Sequence, residues 1–95
     1  MNIKIKAVSG TLESSDIMIW VEPYDSGIEI ELNSTVEKQF GRQIRRIILE
    51  TLRRLNVDAA KIIAVDKGAL DCTIEARVKT AVYRACEVES YSWEA

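Results

Sequence analysis

Two adjacent serines, Ser14 and Ser15, lie within residues 10–16 (GTLESSD), with Glu13 before them and Asp16 after. A serine hydroxyl attacks only when a base takes its proton, and the usual base is histidine. The chain has no histidine. No lysine adjoins either serine in sequence, so a lysine base would have to arrive through the fold. Serines displayed in this way fit the substrate of another enzyme better than an attacking group. The other reactive side chains are Cys72 and Cys86. If both lie on one helix, their spacing places them about 21 Å apart, against a limit of roughly 7 Å between Cα atoms for a disulfide. No CxxC pair or histidine accompanies them as metal ligands. Two reduced thiols, at least one of them packed in the core, are expected, and no metal site.

The elements that position these residues follow from hydrophobic period. Ile3, Ile5 and Ala7 alternate with Lys4 and Lys6, which suggests an edge strand or an extended arm before the serine loop. Residues 17–21 (IMIWV) are β-branched and aromatic, and Pro23 ends them. Residues 24–27 (YDSG) carry turn chemistry, and Ile28, Ile30 and Leu32 then alternate with Glu29 and Glu31. These two strands are expected to form an antiparallel hairpin with an acidic outer face.

Ser34 and Glu37 have capping-box spacing ahead of a helix on which Val36, Phe40, Ile44, Ile47, Ile48 and Leu55 share one face, with Asn56 as its stop. With no secretion signal, capping is also preferred to glycosylation for the sequon at residues 33–35. Residues 61–65 (KIIAV) are nearly continuous in apolar character, as befits a central strand. A second helix follows from residue 69, with Leu70, Ile74, Val78, Ala81, Val82 and Ala85 at helical period. Residues 87–95 are acidic and aperiodic and read as a loose tail. The expected fold is a small two-layer α+β domain over residues 1–95, in the order β-β-α-β-α, with the residue 3–7 segment as an extra edge strand or arm.

Composition bounds the function. Ninety-five residues make one domain, and 47% apolar content with 29% charged residues argues for a packed, soluble body. A net charge of −2 is not that of a nucleic-acid binder. No apolar run approaches the roughly 20 residues that span a bilayer, and residues 1–6 hold no signal-peptide stretch, so a cytoplasmic protein is expected.

Three blocks carry a family resemblance: residues 10–16 (GTLESSD), 34–41 (STVEKQFG) and 65–72 (VDKGALDC). At this spacing they resemble the citrate lyase acyl carrier proteins, the γ subunits of that complex, and the resemblance runs over essentially the whole chain. The acidic stretch around Trp93 is similar in character, and the malonate decarboxylase carrier is the nearest relative in kind. The common fatty-acid carriers are four-helix bundles whose modified serine follows an aspartate at a helix start. Here Asp16 follows the serines and a strand follows Asp16, so a bundle is not expected.

The resemblance implies that Ser14 carries 2′-(5″-phosphoribosyl)-3′-dephospho-CoA through a phosphodiester installed by a holo-carrier-protein synthase. It implies that the thiol of that group bears acetyl and citryl groups while the α (acyl transferase) and β (citryl lyase) subunits convert citrate to acetate and oxaloacetate. The chain itself would be a non-catalytic carrier with no metal. Only the family pattern prefers Ser14 to Ser15. Glu13 and Asp16 fit either guidance of the modifying enzyme or Mg²⁺, or plain loop acids with a turn-capping aspartate. Trp20 fits a strand-face aromatic better than a stacking platform. Lys38, Arg42, Arg45, Arg46 and Arg53 fall opposite the apolar stripe of the first helix. They form either a solvated face or a docking surface for an acidic partner or the cofactor's phosphates. The alternatives are a carrier for a malonate decarboxylase-like complex, a small protein- or nucleic-acid-binding module using that basic face, and, more distantly, an autonomous enzyme.

Overall fold

In a computed structural model that describes residues 1–87, six elements follow in the order β1 (Ala7–Ser9), β2 (Ile17–Glu22), β3 (Ile28–Ser34), α1 (Glu37–Arg54), β4 (Ala60–Asp66) and α2 (Asp71–Ala85). The expected α+β order holds, and an extra edge strand is present, but as β1 at Ala7–Ser9 rather than over residues 3–7. The tail expected over residues 87–95 lies outside the described residues beyond Glu87.

The four strands form one sheet in the order β1-β2-β4-β3. β4 alternates buried and half-buried residues along its full length, and it takes the central place expected for residues 61–65. The hairpin expectation is corrected. β2 and β3 do not pair: β4 lies between them, antiparallel to β2 and parallel to β3. The five residues between β2 and β3 can reach about 17 Å, enough to step across one intervening strand, a gap of about 10 Å. At Gly27 that connection passes the start of β4, where the Ala60 N–H donates to the Gly27 carbonyl (3.0 Å). The parallel pairing of β3 with β4 requires a long crossover, and α1 supplies it.

Both helices pack on one face of the sheet. Ile17, Ile19 and Val21 of β2 and Ile62 and Ala64 of β4 meet Ile44, Ile48 and Leu52 of α1 and Ile74, Val78 and Val82 of α2 in a common core. The opposite face carries Met18, Trp20, Ile63 and Val65, all half-buried, and Trp20 is a strand-face aromatic beside Val8 and Ile63. Glu29 and Glu31 make the outer face acidic as expected, and Lys61 bridges both (3.7 and 3.4 Å). The arm before β1 bends at Ile5, where the Lys4 and Ile5 N–H groups both donate to the Ala85 carbonyl (2.9 and 3.1 Å).

Helix ends differ from expectation at one terminus and match at the other. The capping box is not made. Ser34 is the last residue of β3, the N-cap is Val36, and Glu37 instead faces Arg45 (3.7 Å). Parallel pairing sets Ser34 beside Asp66, and that contact takes its hydroxyl. At the other end Asn56 adopts φ 58°, its N–H donates to Arg53 O (3.0 Å), and the Val57 N–H donates to Leu52 O (3.0 Å). This is a Schellman stop. Two residues assigned to apolar stripes are not in the core: Phe40 is 46% and Leu70 69% exposed, the latter as the N-cap of α2.

Candidate attachment site

Ser14 and Ser15 occupy the two corners of a turn closed by the Asp16 N–H donating to the Glu13 carbonyl (3.2 Å). Both are exposed, and among the described residues no side-chain hydrogen bond engages either hydroxyl. The backbone beneath them is fixed. Ser15, at φ 66°, donates its N–H to Lys67 O (2.8 Å), and the Lys67 N–H donates to Asp16 O (2.9 Å). Ser14 is therefore displayed at the tip of a turn that is stitched to the loop after β4.

Asp16 holds the loop from below. Its carboxylate accepts two bonds from Arg77 of α2 (Nε to Oδ1 3.0 Å, Nη2 to Oδ2 2.9 Å), one from the Thr11 hydroxyl (2.6 Å) and one from the Ile17 N–H (2.7 Å). Hydrogen bonding by Arg77 is the main cause that lowers its pKa to about 2, helped by Thr11, the Ile17 N–H and the Arg77 charge and opposed by burial. These bonds make the Asp16 carboxylate a structural anchor that ties the loop to α2 and to the start of β2. Thr11 in turn accepts the Glu13 N–H (3.2 Å). Gly10 starts the loop at φ 92°, with its backbone pressed against the Ile17 carbonyl where a Cβ has no room. Gly10, Thr11 and Arg77 were not singled out in the sequence. A helix arginine paired sixty-one positions away leaves no local signature.

The three sequence blocks meet here. Asp66, the last residue of β4, pairs with Ile17 on one side and Ser34 on the other. Its carboxylate, almost fully buried, accepts the Ser34 hydroxyl (2.8 Å) and the N–H groups of Gly68 (3.1 Å) and Ala69 (3.0 Å). The Ser34 oxygen also accepts the Val36 N–H (3.1 Å). Beside this junction, an open groove of about 640 Å³ runs between the first turns of α1 and α2, with Val36, Phe40, Gln43, Gly68, Leu70 and Cys72 among its walls. Across it, the Gln43 amide donates to both oxygens of Asp71 (3.0 Å each).

The basic residues of α1 are not part of this cluster. Arg45 donates to the Ile30 carbonyl (2.9 Å) and Arg46 faces Glu50 (3.9 Å), so both are engaged within the chain. Cys72 is exposed at the start of α2 and Cys86 is buried just past its end, both unpaired. Burial pushes the Cys86 thiol up, with the amino terminus and Lys4 opposing, as expected of an inert core cysteine. No helix among the described residues is long and apolar enough to cross a membrane.

Comparison with known proteins bears on the fold and the family. The malonate decarboxylase delta subunit (MdcD) family matches residues 4–85. A chain of the Pseudomonas malonate decarboxylase hetero-tetramer crystallised with malonate shares the fold, with a TM-score of 0.72 over 87% of this chain and 86% of that one at 18% identity. The citrate lyase acyl carrier protein of Streptococcus mutans is 62% identical, covering 99% of this chain and 93% of the relative. Those of Streptococcus uberis and Streptococcus pyogenes serotype M4 are 57% and 59% identical with the same coverage. Fold and sequence together define an acyl carrier of the α+β kind, distinct from a helical bundle. Within that class, the chain belongs to the citrate lyase acyl carrier protein family.

Proposed function

We propose that this chain is the carrier subunit of a citrate lyase and that Ser14 is its attachment residue for phosphoribosyl-dephospho-CoA. The observation that carries the reading is the setting of Ser14: an exposed, unengaged hydroxyl on a turn whose neighbouring polar groups are committed to holding it. The site fits such a group, since the hydroxyl faces solvent and nothing in the loop must move for a phosphodiester to form. In attachment, the Ser14 Oγ bonds to phosphorus, its proton passes to the modifying synthase, and the donor's leaving group departs. Ser15 is equally exposed, but its N–H is tied to Lys67 O, so Ser14 stands one residue further from the anchored backbone.

The bound group supplies a thiol that holds acetyl and citryl groups while citrate is converted to acetate and oxaloacetate. The protein's own part is passive. It holds the attachment point rigid, keeps the arm covalently close to its partners and leaves bond making and breaking to the α and β subunits. Tethering raises the effective concentration at a neighbouring site to about millimolar, which justifies a separate carrier with no catalytic groups. The high identity to citrate lyase carriers favours that complex over a malonate decarboxylase. The binding-module alternative has less support than the carrier, because the curated relatives at 57% and 62% identity are named acyl carrier proteins.

Reconstitution tests the reading. Added to α and β subunits depleted of their carrier, the loaded and acetylated chain is expected to restore oxaloacetate release. The unloaded chain is expected to restore none. Rescue by the unloaded chain, or release from the carrier alone, would contradict it.

A further inference from the structure

We infer that the groove between the first turns of α1 and α2 is a resting cradle for the arm tethered at Ser14. The inference rests on the Ser14 reading and concerns where the arm lies between reactions. Continuity is the first ground. The attachment turn is bonded to Lys67 through Ser15, and the groove wall begins at the next residue, Gly68. The attachment turn and the groove are thus joined through Lys67, and the pantetheine end of the arm reaches the groove by folding back across this junction.

The second ground is the chemistry of the walls. Phe40 and Leu70 form apolar lips that are 46% and 69% exposed, an arrangement that an occupant would relieve of contact with water. The groove is preformed. Asp66 ties Ser34 to Gly68 and Ala69 at one wall, and Gln43 ties Asp71 across the other, so binding needs little ordering of the protein. Leu70 as N-cap puts no side-chain acceptor over the first turn of α2, which leaves that turn open to a carbonyl. A pantetheine-type arm has matching parts: short methylene segments for the lips and amide carbonyls for the helix start.

The third ground decides between occupants. A partner segment must bind from solution, whereas the arm is held at about millimolar effective concentration by its tether. A shallow groove of modest affinity is therefore filled first by the arm. Docking there would shield a thioester from water and stray thiols while the carrier moves between subunits, and would be reversed when a partner site offers tighter binding.

The test compares apo and acetylated chains by amide NMR, and alkylation of the free arm thiol by iodoacetamide, read from the mass of the Ser14 peptide. On loading, the amides of Phe40, Ile44, Leu70 and Cys72 are expected to shift along with those of the loop. Alkylation of the arm thiol should be about fivefold slower than that of free pantetheine, the protection given by an arm docked about four-fifths of the time. Leu70→Ser, at an exposed position, should abolish the distant shifts and restore the free rate while Ser14 remains loaded. Shifts confined to the loop together with alkylation at the free rate would overturn the cradle and leave the attachment reading standing. Loss of α or β subunit binding in Leu70→Ser with unchanged thiol protection would assign the groove to a partner and also overturn it. A chain whose mass shows no group on Ser14 would remove both readings together.

Discussion

Replacing Arg77 with alanine removes both hydrogen bonds and the ion pair that α2 gives to Asp16, and with them the lower anchor of the serine loop. Its size follows from the Asp16 pKa, which Arg77 does most to lower from 3.8 to about 2. At 1.36 kcal/mol per unit the whole shift corresponds to about 2.4 kcal/mol, and solvent access to the half-exposed Arg77 reduces the expected loss to about 1–1.5 kcal/mol. The sign is that of a depressed carboxylate. The contribution is present above the unfolded pKa and is lost as pH falls through the folded value of about 2. In urea titrations, wild type should therefore lose stability between about pH 5 and pH 2 by more than Arg77→Ala does, and the two curves should converge at the acid end. NMR titration should show Asp16 returning toward the ordinary carboxylate range, and hydrogen exchange should quicken at Ser15 and Lys67. An Arg77→Ala protein in which Asp16 still titrates near 2, or whose stability gap to wild type is the same at both pH values, would refute this reasoning.

Two further substitutions test the frame around the site. Gly10→Ala places a Cβ against the Ile17 carbonyl at a positive φ, so it should cost at least about 2 kcal/mol in urea unfolding and displace the loop amides in NMR spectra. A melt within error of wild type would mean the approach is looser than described. Asp66→Ala leaves the Ser34 hydroxyl and the Gly68 and Ala69 N–H groups without their acceptor, and about 2–4 kcal/mol of stability should be lost. Asp66→Asn should recover part of it, and equal stability of the alanine variant would show that water replaces the carboxylate.

The elements themselves were legible because each carries its own period. β4 reads as central from residues 61–65, α1 from Ile44, Ile48 and Leu55, and its stop from Asn56. Strand partnership was not legible. β2 and β3 both alternate, and residues 23–27 suit a tight hairpin as well as a step across β4, so nothing local marks the insertion. The same long-range pairing defeats the capping box, because Ser34 and Glu37 have the right spacing but β4 brings Asp66 to the hydroxyl first. The serine turn stands out through the absence of a base and the three resembling blocks, and the family pattern alone prefers Ser14 as the proposed attachment residue. What holds the turn was not legible: Arg77 and Lys67 reach the loop only through the fold, and Asp16 announces a turn without naming its partners. Phe40 and Leu70 fit helical period, and their exposure appears only once the helix starts are in place beside the groove.

The most direct measurement is peptide mass mapping of the chain after co-expression with its maturation enzymes, for wild type, Ser14→Ala and Ser15→Ala. The expected result is one phosphoribosyl-dephospho-CoA on the Ser14 hydroxyl of wild type and Ser15→Ala, and none on Ser14→Ala. Because Ser14 is exposed and unengaged, its alanine variant should also melt within about 0.5 kcal/mol of wild type. An unmodified wild-type chain, or a group that persists on Ser14→Ala, would contradict Ser14 as the attachment residue.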